Sequence, residues 1–94
     1  MKKKVVILGS TGSIGISTLG VIKKNIKKFD VILLTANNNY KKLISQAKEY
    51  KAKNVLIYNK TFYNLVKTAL KNEKTKVFSN NSPINKRINT KIDY

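Results

Sequence analysis

The chain has no cysteine, no histidine and no tryptophan, and only one proline, four glycines and four acidic residues among its 94 positions. Without cysteine there is no disulfide and no thiolate metal site. Without histidine the commonest metal ligand and neutral-pH general base are gone. The acids Asp30, Glu49, Glu73 and Asp93 are scattered, so neither a paired-carboxylate site nor a carboxylate metal cage is expected. Ser10, Ser13 and Ser17 have no histidine to activate them. No residue is therefore assigned a catalytic or metal-binding role. Long apolar runs are also missing, and none approaches the ~20 residues of a membrane span. Lys2-Lys3-Lys4 before Val5–Leu8 resembles the start of a signal peptide, but the apolar run is too short and Gly9 breaks it. The expectation is a cytoplasmic chain with no membrane partner. Its length allows at most one small domain, about half of a full doubly wound nucleotide-binding domain.

Positive charge is abundant. The formal net charge is +16, and nineteen of the twenty basic residues are lysine, with Arg87 the exception. Such a balance can signal nucleic-acid binding. Here the lysines are dispersed over several segments, and arginine, the usual base-reading residue, is nearly absent. Asparagine is also frequent, at twelve residues. Lysine and asparagine share A-rich codons, so compositional drift in an AT-rich genome accounts for both. A small basic nucleic-acid-binding protein stays as the alternative.

The chain is organised around Val5-Val6-Ile7-Leu8-Gly9-Ser10-Thr11-Gly12-Ser13-Ile14-Gly15. A continuous apolar run reads as a buried parallel strand. It enters a turn with glycine at every third position, and an amphipathic pattern follows. This strand–turn–helix order aims the first helical N–H groups, and the positive end of the helix dipole, at whatever sits above the turn. The spacing is G-x-x-G-x-x-G, not the G-x-G-x-x-G dinucleotide fingerprint, so a purely steric tight turn is the competing reading. No Gly-Lys-Ser/Thr closes the motif, which disfavours a P-loop.

Along the chain the pattern predicts strands at Lys4–Leu8, Asp30–Leu34, Asn54–Tyr58 and Lys76–Phe78. Helices are predicted at Ser13–Lys24, Tyr40–Tyr50 and Thr61–Asn72. Ile14, Leu19, Ile22 and Ile26 mark the buried face of the first helix. Tyr40, Leu43, Ile44, Ala47 and Tyr50 mark that of the second, with Asn39 as its N-cap. Phe62, Leu65, Val66, Ala69 and Leu70 mark that of the third, with Thr61 as its N-cap. Tyr40, Tyr50, Tyr58 and Tyr63 read as packing residues. The fold class is α/β, a Rossmann-like βαβαβαβ half-domain with a parallel sheet over residues 1–79. Asn80-Asn81-Ser82-Pro83 is a breaker cluster, and no apolar period follows. Residues 80–94 are expected to form an irregular tail.

In an open parallel sheet, ligands bind at the carboxyl ends of the strands. Gly9, Ser10, Thr11, Gly12, Ser13 and Ile14 lie at the first such end, where a pyrophosphate would meet the N–H groups of Gly12, Ser13 and Ile14. The second strand ends in Thr35-Ala36-Asn37-Asn38-Asn39, without the acid that holds a ribose 2′-OH in many NAD-binding proteins. The missing carboxylate removes repulsion of a 2′-phosphate, and Asn37, Asn38 and Asn39 can donate to it, with Lys41 or Lys42 able to approach. This favours NADP over NAD. The alternative is that the asparagines only turn the chain and cap the second helix.

The run Gly9-Ser10-Thr11-Gly12-Ser13-Ile14-Gly15, with Ser17-Thr18-Leu19 inside the helix, resembles the N-terminal NADPH-binding region of 1-deoxy-D-xylulose-5-phosphate reductoisomerases. Phe29, the strand Val31–Leu34 and the Ala36–Asn39 element follow in the same order, so that the resemblance covers about residues 3–79. It implies a Rossmann-type domain holding NADPH in an enzyme of isoprenoid synthesis. That enzyme converts 1-deoxy-D-xylulose 5-phosphate to 2-C-methyl-D-erythritol 4-phosphate with a divalent metal, Mg or Mn, and works as a homodimer. Thr11, Gly12, Ser13 and Ile14 match the family's phosphate-binding turn. Asn37, Asn38 and Asn39 match its Gly-Lys-Asn or Gly-Arg-Asn segment, where only Asn39 is identical. Family members are roughly four times longer, and their metal and substrate sites lie downstream. The expectation is an inactive fragment or the product of a truncated gene, with residues 80–94 resembling a shifted reading frame or a degraded gene end. A non-functional remnant is the further alternative.

Overall fold

The computed structural model describes residues 2–79; the expected irregular tail, residues 80–94, lies outside them. Four strands alternate with three helices: β1 (Lys3–Ile7), α1 (Ser13–Lys24), β2 (Phe29–Ala36), α2 (Tyr40–Tyr50), β3 (Asn54–Ile57), α3 (Tyr63–Ala69) and β4 (Lys76–Ser79). The sheet order is β1-β2-β3-β4 and every pairing is parallel. This is the expected βαβαβαβ half-domain. Each strand is added on the same side of the last, so crossovers of the usual right hand carry all three helices over one face.

That face holds the main core. Val5, Ile7, Val31, Leu34, Val55 and Ile57 from the strands pack with Leu19 and Ile22 of α1, Leu43 and Ala47 of α2, and Val66 and Leu70 at α3. Each Val, Leu or Ile side chain among them contributes about 1.5–3 kcal/mol when fully buried. Leu33, Leu56 and Phe78 form a second, smaller cluster with Val6, and no helix residue belongs to it. β2 supplies both clusters through an irregularity. Val5 pairs with Val31, but Val6 pairs with Leu33, so Ile32 is passed over. An extra residue of this kind breaks the two-residue alternation and kinks the strand. It lets Val31 and Leu34, three apart, face the same core.

Several expected boundaries and faces differ. β1 ends at Ile7, and Leu8, assigned to the buried run, is 71% exposed. β2 is longer than the expected Asp30–Leu34 and reaches Ala36. Ile14 and Ile26 on α1 and Leu65 on α3 are exposed instead of buried. Ile14 stands at the very start of its helix, and Ile26 falls in a separate 3₁₀ turn, Ile26–Lys28, so neither keeps the phase of Leu19 and Ile22. The third helix begins as a 3₁₀ turn, Lys60–Phe62, capped by Asn59 and not by Thr61. α2 matches its expected range, and Asn39 is its N-cap, accepting from the Lys42 N–H at 3.3 Å. Tyr40 stacks on Phe62 with ring centroids 4.5 Å apart, which ties the start of α2 to the turn before α3.

Candidate functional site

The turn between β1 and α1 is shaped by two of its three glycines. Gly9 has φ +71°, a left-handed conformation that costs other residues roughly 1–2 kcal/mol. Gly15 is buried against the turn. A Cβ there would lie 2.4 Å from the Gly9 carbonyl oxygen and 2.6 Å from Ser10 Cα, so only glycine lets α1 approach so closely. Gly12 is different, since a Cβ would meet only the Gly9 oxygen at an ordinary 3.5 Å. The fold does not demand glycine there.

Gly12 is the N-cap of α1 and has no side chain with which to cap it. Its own N–H donates to the Gly9 carbonyl at 3.1 Å, and its carbonyl accepts from the Ile16 N–H at 2.9 Å. The N–H groups of Ser13, Ile14 and Gly15 are those an α-helix leaves without internal partners. No acidic residue lies in this first turn, so the helix end stays positive and suits a phosphate.

A buried polar latch holds the turn in place. The Gly9 N–H donates to Thr35 Oγ1 at 2.8 Å, and the Ser10 N–H donates to the Thr35 carbonyl at 2.9 Å. The Ser10 hydroxyl, with no exposure at all, donates to Gln46 Oε1 at 2.8 Å. Gln46 Nε2 returns a bond to the Ser10 carbonyl at 2.9 Å. The Ser10 side chain therefore faces α2. Thr35 and Gln46 went unassigned in the sequence. A signal for Gln46 existed, since it is polar yet lies three residues from Leu43 on the apolar face of α2.

Leu8, Gly9, Thr11 and Gly12 line one open cleft with Thr35, Ala36, Asn37, Asn38, Asn39 and Tyr58, about 500 Å³ in volume. The two strand ends singled out from the sequence thus share one surface. Ser13 and Ile14, expected among the cofactor contacts, do not line it; Ile14 is 84% exposed and lines a separate hollow with Val6 and Val21. Tyr58, read as a packing residue, is exposed on the cleft wall. The asparagines are also engaged structurally: Asn39 caps α2, and the Asn38 carbonyl accepts from the Tyr40 N–H at 2.8 Å.

Among the described residues no acid lines the cleft. The titrating groups displaced from their ordinary values are elsewhere. Lys23 is raised, chiefly by its hydrogen bond to Glu49 at 2.9 Å and by that carboxylate's charge. Tyr50 is raised, first by burial and then by Glu49. Among the described residues no three His, Cys, Asp or Glu side chains gather to hold a metal ion, and no helix is long and apolar enough to cross a membrane.

Comparison with known proteins places this geometry. The family model for 1-deoxy-D-xylulose 5-phosphate reductoisomerase matches residues 5–93. The enzyme of that name from Pelagibacter ubique is 50% identical over 98% of this chain and 24% of its own length. A solved structure of the Zymomonas mobilis enzyme in complex with NADPH superposes with a TM-score of 0.82 at 40% identity, over 84% of this chain and 21% of that one. A solved structure of another DOX-P reductoisomerase, in complex with NADPH, fosmidomycin and magnesium, gives 0.78 at 26% identity over 84% of this chain and 20% of that one. The chain thus spans about a quarter of the length of such relatives. The match running to residue 93 corrects the expectation that resemblance ends near Ser79, and it opposes a shifted reading frame beyond that point.

Proposed function

Because the chain belongs to the 1-deoxy-D-xylulose 5-phosphate reductoisomerase family, we propose that it is the part of such an enzyme that binds NADPH. The observation that carries this reading is the shared cleft. A glycine turn, leading into a helix with no side-chain cap and no acid in its first turn, and an acid-free strand end face the same space. The residues present fit the cofactor. Gly12 leaves room for a pyrophosphate against the backbone, and the N–H groups of Ser13 and Ile14 would hold it. Thr11 and Ser13 add hydroxyl donors. Asn37, Asn38 and Asn39 would meet the ribose and its 2′-phosphate. Gly9 and Ser10 contribute backbone and turn shape, the Ser10 hydroxyl being spent on Gln46.

NADPH, when bound, supplies the hydride for reduction. The described residues bind and orient it, and none of them supplies a general acid, a general base or a metal site. In the whole-length enzyme the reading extends to a sugar-phosphate substrate, 1-deoxy-D-xylulose 5-phosphate, to a divalent metal and to a cytoplasmic homodimer. The NADPH-binding unit would be residues 1–79. This chain alone is expected to bind cofactor without turnover.

Calorimetric titration of the 94-residue chain with NADPH and with NADH tests the proposal. A clear preference for NADPH is expected. Equal affinity, or none, would overturn the reading, and turnover with substrate and Mn²⁺ would show that catalytic groups do lie in this chain.

A further inference from the structure

Asn59, just past β3, does not line the cleft, yet it controls a residue that does. Its backbone N–H donates to the Asn37 carbonyl at 3.0 Å, while the Tyr58 N–H donates to the Ala36 carbonyl at 2.9 Å. These bonds extend the β2–β3 ladder beyond both strand ends and fix Asn59 beside the asparagine run. Its side-chain Oδ1 accepts from the Thr61 N–H at 3.0 Å. A backbone N–H can only donate, so this bond settles which end of the Asn59 carboxamide is oxygen. The nitrogen end must then face Asn38, and Asn59 Nδ2 donates to Asn38 Oδ1 at 2.8 Å. The oxygen end of the Asn38 side chain is therefore engaged from outside the cleft, and its NH₂ group is turned away from Asn59. An amide that could show the cleft either end is held with its donors available.

We propose that Asn59 is a positioning residue for cofactor choice: by holding Asn38 Oδ1 it leaves the Asn38 N–H groups to donate to the 2′-phosphate, and so favours NADPH over NADH. This rests on the cofactor reading above. The chemistry is selective because a 2′-phosphate offers only acceptors near neutral pH, whereas a free 2′-OH can both donate and accept. Turning Asn38 over would set an oxygen against the phosphate but would still suit the hydroxyl.

Two variants separate orientation from charge. Asn59→Ser keeps an oxygen able to cap the Thr61 N–H but is too short to reach Asn38. Asn59→Asp also keeps the cap, and its second carboxylate oxygen calls for the Asn38 N–H groups, which turns the Asn38 oxygen outward. Calorimetric titration of each chain with NADPH and NADH is expected to show NADPH weakened about threefold or more by N59S. With N59D the loss is at least about tenfold, and NADH changes by less than about twofold in both, as befits loss or reversal of a charge-assisted hydrogen bond. The neutral N59S decides, because added charge alone would weaken NADPH binding to N59D. Equal weakening of both cofactors by N59S, or of neither, overturns the proposal. If the wild-type chain prefers NADPH and N59S keeps that preference, the role of Asn59 fails alone. A wild-type chain that binds both alike overturns the cofactor reading and this role with it.

Discussion

Replacing Gly15 by alanine should damage the turn from the helix side. The new Cβ would stand 2.4 Å from the Gly9 oxygen, 2.6 Å from Ser10 Cα and 2.8 Å from Ser10 C, where ordinary contact begins at 3.4 Å. The shortfall is about 1 Å, and all three atoms belong to backbone. They cannot swing aside as a flexible side chain would, because Gly9 and Ser10 are tied to Thr35 and Gln46. Overpacking of this kind costs about 1–3 kcal/mol, and the upper half of that range applies here. Alanine is better than glycine in a helix interior by about 1 kcal/mol, so the net loss is about 1–2 kcal/mol. Gly20 provides the control within the same helix, since a Cβ there meets nothing within 4 Å. Gly20→Ala should raise stability by up to about 1 kcal/mol. For a domain of this size 1 kcal/mol moves the melting temperature by roughly 4–8 °C. Circular-dichroism melts of the three chains should therefore order G20A above wild type above G15A. A G15A chain that melts at or above wild type, or alanines that shift the melt alike, would refute a steric clash at Gly15. G15A should also weaken NADPH, because moving α1 displaces the N–H groups of Ser13 and Ile14.

Gln46→Leu should destabilise the chain by about 2 kcal/mol, because it strands the buried Ser10 carbonyl and leaves the Ser10 hydroxyl only its longer 3.3 Å bond to the Thr35 carbonyl. Adding Ser10→Ala should recover part of that loss in chemical denaturation, and strict additivity of the two changes would disprove the latch. Stability should also fall in alkali. Lys23 is raised above its ordinary 10.5 and Tyr50 above its ordinary 10.0. The fold therefore holds both protons more tightly than the unfolded chain does. The stability this contributes is complete below those ordinary values and is lost as pH climbs through the folded ones. Melts should be insensitive to these groups from about pH 7 to 9 and decline above about pH 10. Lys23→Met should flatten part of that decline, and an unchanged decline would assign it elsewhere. The exposed Lys23–Glu49 pair should matter little near neutrality.

Much of this architecture was legible in the residues. Val31–Leu34 and Val55–Ile57 are unbroken apolar runs between amphipathic stretches, and such alternation has essentially one outcome, a parallel sheet with helical crossovers. Asn39 as cap and Tyr40–Tyr50 as helix followed from local chemistry, since capping and 3.6-residue periodicity act within a turn or two. Faces and boundaries were less legible. In β2 every residue from Val31 to Leu34 is apolar, so nothing in the sequence shows that Ile32 is passed over or that Leu33 belongs to a different cluster from Leu34. Leu8, Ile14 and Leu65 are apolar and exposed, and hydrophobicity states a preference for burial, not which surface is at hand to provide it.

The cleft divides in the same way. Gly9 to Gly15 announced a strand–turn–helix cradle because glycine spacing, the apolar run before it and the helical pattern after it are all local, and the missing acid at Asn37–Asn39 was readable for the same reason. Tertiary structure alone decided the rest: which glycine is sterically required and which is not, that Ser10 turns inward to Gln46, thirty-six residues away, and that Asn59 donates to Asn38 across a gap of twenty-one. Those contacts depend on β1, β2 and β3 lying side by side in register, and register is set by the packing of all three strands at once, so no stretch of sequence carries it alone.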